Sequence, residues 1–228
     1  MILAGLRKLS LLDFPGKTCC TVFTLGCNFR CPFCHNGSLV VDLDNSPRVS
    51  EEDFFAYLIQ RKKLLEGVCV TGGEPLIHPD IECFLQKIKD LGYLVKLDTN
   101  GSFPDKLKNL IKKDLCDFVA MDIKASKDGY LRAIGLSDFD YLKIERSIDI
   151  LLKGNVPYEF RTTVVKEIHS DDDFKTLAQR IKGAPRYTLQ SFVNSDDVIN
   201  KKLNPCTQEE IERFASYFRG NVGEIVIK

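Results

Sequence analysis

Cys27, Cys31 and Cys34 fall within eight residues, in the run Gly-Cys-Asn-Phe-Arg-Cys-Pro-Phe-Cys-His-Asn from Gly26 to Asn36. A short apolar run, Cys20 to Leu25, precedes them and reads as a strand, so the thiols ride on one tight loop at a strand's end. Three chemistries suit such a loop. Iron-sulfur clusters take cysteine thiolates at short spacings, usually four of them, and a set of three leaves one iron open for chemistry. Zinc could add His35 as a fourth ligand, but His35 adjoins Cys34, whereas structural zinc sites draw ligands from two separated pairs. Cys31-Pro32-Phe33-Cys34 is also a C-x-x-C dithiol, able to cycle between thiol and disulfide, though this leaves Cys27 idle in a chain long for a thioredoxin-like domain. Ordinary packing cysteines rarely cluster beside Pro, Arg and Asn.

Elements that could position this loop follow from hydrophobic periodicity. Pro15-Gly16 marks a turn before the first strand, and the opening Leu6 to Lys17 leads a chain end towards the cysteines. Ser50 with Asp53 resembles a capping box and starts a helix over Glu51 to Leu65, with Phe54, Phe55, Leu58, Ile59 and Leu65 on one face. Strands are expected at Val68 to Thr71, Tyr93 to Leu97, Asp117 to Met121, Tyr158 to Val165 and Arg186 to Gln190, with a closing strand at Glu224 to Ile227. Helical stripes alternate with them: Ile81 to Leu91, a helix opened by Pro104, Tyr141 to Lys153, one capped by Ser170 with Asp173, and one capped by Thr207 with Glu210. Six strand-helix units in alternation imply an α/β fold with a parallel sheet and helices outside, either open and doubly wound or a barrel.

Ligands of both architectures sit at the carboxyl ends of the strands, and the unusual polar residues fall there. Gly72-Gly73 could be a tight turn, but a glycine pair also lets backbone approach a ligand, and Glu74 can accept hydrogen bonds from an ammonium group. Asp98-Thr99-Asn100-Gly101 could be an Asx-type turn before a helix. Asp122 and Lys124 are two apart and share a strand face; inward, such a charge pair needs a reason such as a charged cofactor. Arg161 and Thr163 are likewise in phase, and a guanidinium suits a carboxylate. His78 and His169 read as surface loop residues, and Cys19, Cys20, Cys69, Cys83, Cys116 and Cys206 as packing cysteines.

At 228 residues and 44% hydrophobic content, the chain supports one core, and a single domain over 1–228 is expected. A formal net charge of zero, without long blocks of like charge, offers no electrostatic footprint for nucleic acid or an anionic membrane. No apolar run approaches the roughly 20 residues of a membrane helix. Met1 to Ser10 lacks the apolar core of a secretory signal, so a cytoplasmic protein is expected. Nine cysteines without a regular framework fit a reducing, low-oxygen setting.

The Cys-x3-Cys-x2-Cys spacing with an aromatic before the last cysteine resembles the radical S-adenosylmethionine (SAM) superfamily. Within it, Ser10 to Gly16, the Cys-His-Asn ending at Asn36, Leu97 to Gly101, Ala120 to Lys124 and Phe160 to Val165 are together most similar to anaerobic ribonucleoside-triphosphate reductase activating proteins, of the glycyl-radical activating group. The resemblance implies a partial (β/α)6 TIM-like barrel of parallel strands, with Cys27, Cys31 and Cys34 holding one [4Fe-4S] cluster whose fourth iron is chelated by S-adenosylmethionine. It implies cofactor contacts from Phe33, His35, Gly72, Gly73, Glu74, Asp98, Thr99, Asp122, Ile123, Lys124 and Arg161; no side chain acts as acid or base. In the formate-lyase activating branch such aspartates also hold a monovalent cation.

The implied reaction starts with one electron from a flavodoxin or ferredoxin, yields methionine and a 5'-deoxyadenosyl radical, and ends with removal of an α-hydrogen from a glycine of a partner protein, the anaerobic reductase. Neither nucleic acid nor membrane is a partner in this reading. Two departures narrow it: Gly37 to Gly67 lacks the cysteine-rich insert of some relatives, and Gln190-Ser191-Phe192 stands where formate-lyase activating enzymes carry a histidine. The alternatives are activation of pyruvate formate-lyase or another glycyl-radical enzyme, and a small-molecule enzyme such as a 7-carboxy-7-deazaguanine synthase. A further rival is an iron-sulfur electron-transfer or binding protein, which would need neither an open iron nor Gly-Gly-Glu.

Overall fold

The computed structural model describes all 228 residues, Met1–Lys228. Strands β1 (Leu3–Ser10), β2 (Cys19–Thr24), β3 (Gly67–Gly72), β4 (Leu94–Thr99), β5 (Phe118–Asp122), β6 (Tyr158–Val164), β7 (Arg186–Ser191) and β8 (Glu224–Ile227) lie in one sheet in chain order. This order answers the question periodicity left open. A doubly wound sheet reverses strand order at a switch point, whereas barrel-type winding keeps sequence neighbours adjacent. Here β1 and β8 remain as the two edges.

The β2–β3, β3–β4, β6–β7 and β7–β8 ladders are parallel. Parallel neighbours need a crossover, and helices supply it: α2 (Glu51–Arg61), α3 (Ile81–Asp90), α4 (Pro104–Lys112), α6 (Leu142–Lys153), α7 (Asp171–Arg180) and α8 (Gln208–Ser216), with short helices α1 (Ser38–Val41) and α5 (Tyr130–Ile134) between.

Two compact units make up the chain: Met1–Asn28 with Ser38–Thr99 and Asp105–Val119, and Phe29–Gly37 with Asn100–Pro104 and Ala120–Lys228. In the first, Val68 and Val70 of β3 and Val95 and Leu97 of β4 are fully buried, and Phe54 of α2 stacks on Phe84 of α3 at 5.4 Å. Ser50 caps α2 by accepting the Asp53 N–H. Asp117 links strand to helix there: its Oδ2 takes the Val95 N–H and the Lys89 ammonium, both at 2.7 Å. In the second unit, capping boxes begin α7 (Ser170 with Asp173) and α8 (Thr207 with Glu210). Phe174 stacks on Phe214 at 4.4 Å and Tyr187 on Phe218 at 4.1 Å, which packs α7 against α8 and both against β7.

Several expectations need correction. The opening segment is a strand, β1, antiparallel to β2, with irregular register between Leu3 and Gly5 and between Arg7 and Ser10. Arg7, Lys8 and Leu9 are exposed in succession, so no period of two advertises it. Helix α2 stops at Arg61, and Ile59 is exposed. His78 and His169 are buried, at 8% and 7% exposure, not surface loop residues. Cys83 is exposed rather than packed.

Candidate functional site

Much of the cysteine loop belongs to the second unit, where backbone bonds hold it from several sides. The Arg30 N–H donates to Ile134 O at 2.8 Å, the Asn200 N–H to Pro32 O at 2.8 Å, and the Gly37 N–H to Asp197 O at 3.0 Å. Gly135, the C-cap of α5, has φ +67°. A Cβ there would lie 2.1 Å from Arg30 O, so only glycine lets α5 grip the loop this closely. Phe29 sets its ring edge-on to Tyr130 at 6.3 Å and Phe139 at 5.1 Å. Cys27, Cys31 and Cys34 form no disulfide. Burial pushes the Cys34 thiol above its ordinary pKa, opposed in part by the Asn36 backbone and the Lys124 charge. No three Cys, His, Asp or Glu side chains gather tightly enough for a single ion. A cluster asks for a wider arrangement, since each thiolate goes to a different iron.

The first unit holds Cys27, half-buried, and the glycine motif. The Glu74 N–H donates to Gly26 O at 2.8 Å and the Gly73 N–H to Thr24 O at 2.9 Å. A Cβ on Gly73 would sit 1.8 Å from Gly26 O, and one on Gly72, at φ +119°, 2.2 Å from Thr24 N. The glycine pair is therefore demanded by the chain itself: it lets the end of β3 press against the entry to the cysteine loop. Glu74 is fully buried, and its Oε1 accepts the Leu76 N–H at 3.0 Å and the Thr99 hydroxyl at 2.8 Å. Successive strand residues face opposite sides, and Asp98 turns the other way, to the buried Lys96 ammonium and, at 3.7 Å, the Cys69 thiol.

In the second unit Asp122, the last residue of β5, meets Lys124 just beyond the strand and Arg161 of β6, a partner the sequence did not assign to it. Lys124 Nζ lies 3.0 Å from Asp122 Oδ2, and Arg161 Nε 2.8 Å from Asp122 Oδ1. Burial alone would raise the Asp122 pKa, but Arg161 and Lys124 outweigh it and hold the carboxyl well below the usual range. Burial likewise opposes the Lys124 charge, yet Asp122 and the Cys31 and Cys34 thiols raise its pKa. Ile123 is buried and acts through its backbone: its N–H donates to Arg161 O at 2.8 Å, and its carbonyl accepts the Thr162 hydroxyl at 2.7 Å.

Sequence reasoning missed His169. Its Nδ1 accepts the Val165 N–H at 3.0 Å, which leaves the proton on Nε2, 2.8 Å from Lys124 O. The ring lies 6.2 Å from Phe33, so His169 braces the backbone of Lys124 beside the loop. Its sequence signal is weak, a single residue ahead of a helix cap. His35 is exposed, with Nε2 2.9 Å from Val193 O and its ring stacked at 5.4 Å on the buried Phe192.

The donor set fits a thiolate-ligated metal group and an anionic cofactor. The Lys124 ammonium interacts with both Cys31 and Cys34, which favours their thiolates, while the Asp197 and Asp122 carboxylates oppose it at Cys34.

Comparison with known proteins agrees with that chemistry. The family model described as the radical SAM superfamily matches residues 21–181. A provisionally assigned glycyl-radical enzyme activating enzyme of Methanocaldococcus jannaschii is 30% identical over 233 residues, 100% of this chain and 95% of that protein. A 7-carboxy-7-deazaguanine synthase of Thermoplasma acidophilum is 28% identical over 169 residues, covering 69% of this chain and 76% of the synthase. Among solved structures, TYW1 with a lysine-pyruvate adduct bound superposes with a TM-score of 0.65 at 17% identity, over 90% of this chain and 74% of that one, a likeness of fold.

Proposed function

Because this chain belongs to the radical SAM superfamily, we propose that it is a glycyl-radical activating enzyme, an oxidoreductase acting on a protein partner, most specifically anaerobic ribonucleoside-triphosphate reductase. The observation carrying the reading is the match, end to end, to a protein assigned to glycyl-radical enzyme activation. The deazaguanine synthase matches a smaller share of the chain.

In this reading Cys27, Cys31 and Cys34 each give a thiolate to one iron of a [4Fe-4S] cluster. When bound, the cluster and S-adenosylmethionine supply one-electron reductive cleavage of a carbon-sulfur bond and a 5'-deoxyadenosyl radical that takes a glycine α-hydrogen, with a flavodoxin or ferredoxin as electron donor. The chain's residues bind and orient. Glu74, its Oε1 held by Thr99 and the Leu76 N–H, and Gly73, pressed on Gly26, form a rigid rim for the cofactor's methionine end. Lys124 and Arg161, aimed by Asp122, offer charge to its carboxylate, and His169 keeps the Lys124 backbone in place. Phe33 and His35 would contact the adenosyl part. Asp98 and Asp122 are each paired with cationic side chains of the chain itself.

The test is anaerobic cluster reconstitution, reduction and addition of S-adenosylmethionine, with 5'-deoxyadenosine quantified and electron paramagnetic resonance recorded with and without a candidate anaerobic reductase. Expected are 5'-deoxyadenosine and a glycyl-radical signal on the reductase. Turnover of a free metabolite without any protein partner would instead favour the small-molecule reading. Alanine at Cys27, Cys31 or Cys34 should abolish 5'-deoxyadenosine, and a variant that still makes it would refute that cysteine's assignment.

A further inference from the structure

Strand β8 is the last of the sheet, and β7 is its one neighbour. The two run level from Arg186 with Glu224 to Leu189 with Ile227, without a register shift. The Glu224 N–H donates to Pro185 O and the Lys228 N–H to Leu189 O, both at 2.9 Å, and Lys228 O accepts the Ser191 N–H at 2.7 Å. The even-numbered residues therefore turn their backbone groups to β7. Alternate residues of a strand bond to opposite sides, so the N–H and C=O groups of Ile225 and Ile227 point outward, where no further strand lies.

Such an edge is a template for another strand, and proteins commonly blunt it with proline or a bulge. β8 has neither. Its run Glu-Ile-Val-Ile-Lys, Glu224 to Lys228, is instead chemically symmetric about Val226. Glu224, Val226 and Lys228 share one face, and Ile225 and Ile227 the other. Laid antiparallel on a second copy about a two-fold axis at Val226, each Glu224 stands opposite a Lys228, valine opposite valine, and each Ile225 opposite an Ile227. The isoleucine pairs are then the hydrogen-bonded ones, and both outward N–H groups of each copy meet outward carbonyls of the other. The Glu-Lys and Val-Val pairs fall at the closer positions, with Cα atoms about 4.5 Å apart. A shift of two residues would set Glu224 or Lys228 against valine and forfeit the charge pairs. Glu224 holds Arg186 through Oε2 at 2.7 Å, which leaves Oε1 for a lysine, and Lys228 is exposed with no ion-pair partner in its own chain.

We propose that two copies of this chain join β8 to β8, antiparallel about Val226, so that their sheets run on into one. The interface is isologous, with the same strand on both sides. Five residues a side is far fewer than the about 20–30 of a standard interface, so the association is weak, with a dissociation constant on the order of 100 µM. It does not depend on the glycyl-radical reading.

The test is sedimentation velocity of the anaerobic holoenzyme from about 5 to 500 µM, over which monomer should give way to dimer. Ile227→Pro removes one outward N–H from each copy and leaves the bonds to β7 intact, since proline is tolerated on an edge strand. It should weaken association by at least about 10-fold. Glu224→Lys and Lys228→Glu each place like charges at both symmetric positions and should weaken it about 10-fold. Mixed in equal amounts, these two variants should associate with near wild-type affinity, because every lysine again stands opposite a glutamate. A wild-type chain that stays monomeric throughout the range overturns the proposal and leaves the edge to some other chain. A dimer indifferent to Ile227→Pro, or a mixture that associates no better than its separate components, overturns it as well. The wild-type concentration series needs no variant, so a misfolded variant would not shelter the proposal.

Discussion

Replacing Asp122 by asparagine removes a negative charge from between two cations while nearly preserving shape. Its partners stand at 2.8 and 3.0 Å, and the side chains of Asp122, Arg161 and Lys124 are 27%, 13% and 16% exposed. Surface pairs contribute about 0–1 kcal/mol, and breaking a fully buried pair costs about 3–5 kcal/mol. With this partial exposure we place the loss near 2 kcal/mol, or about 6 °C in Tm for a chain of this length. The sign with pH follows from the shifts. The folded Asp122 pKa is depressed by Arg161 and Lys124 against the opposing effect of burial. Its contribution is therefore full above the ordinary carboxylate value, about 4, and is lost as pH falls towards the folded value. The raised Lys124 pKa acts oppositely: its contribution is full below about 10.4 and is lost only as pH rises through the folded value. Urea unfolding of the reduced, metal-free chain should show a gap between wild type and Asp122→Asn that is flat from about pH 5 to 9 and narrows below about pH 4. A double-mutant cycle with Arg161→Met should give a coupling of about 1–2 kcal/mol. Equal stability at neutral pH, a gap indifferent to acid, or strict additivity would each refute the picture of one coupled cluster.

Gly135→Ala should strain the left-handed C-cap by about 1–2 kcal/mol and push its Cβ into Arg30 O. Iron bound per chain after anaerobic reconstitution should fall, and wild-type iron content would count against α5 as the support of the loop. Thr99→Val removes the hydroxyl that donates to Glu74 Oε1, which should cost about 1–2 kcal/mol in urea unfolding; a neutral result would mean that the bond holds nothing. His169 has its pKa lowered chiefly by burial, against bonds to Lys124 and Val165 that raise it. Its contribution is full above about pH 6.5 and is lost as pH falls through the lower folded value. His169→Asn should therefore flatten stability between about pH 7 and 5, and an unchanged slope would remove His169 as its source.

The site was unevenly legible in the sequence, and the pattern has a cause. The cysteine spacing, the capping residues Ser50, Ser170 and Thr207, and the alternation of apolar runs are local signals, which depend on residues a few positions apart. The same local logic brought Asp122 and Lys124 to one side, and they pair, although β5 ends at Asp122 and Lys124 lies beyond it. Local signals could not separate a doubly wound sheet from barrel-type winding, because strand order depends on which strands lie adjacent in space. Nor could they reveal that β1 pairs antiparallel to β2, that His169 turns inward to Lys124, or that Gly72 and Gly73 answer to the backbone at Thr24 and Gly26. Glu159 is the sharpest case: in sequence it is one more acidic residue in a strand, and only its neighbours across the sheet leave it buried with a single hydroxyl for company. The chain by itself determined the elements and the thiol-bearing loop, since short-range periodicity and capping encode them. Tertiary structure alone decided which polar groups are enclosed and what they face, because burial and partnership arise from residues far apart in sequence meeting in space.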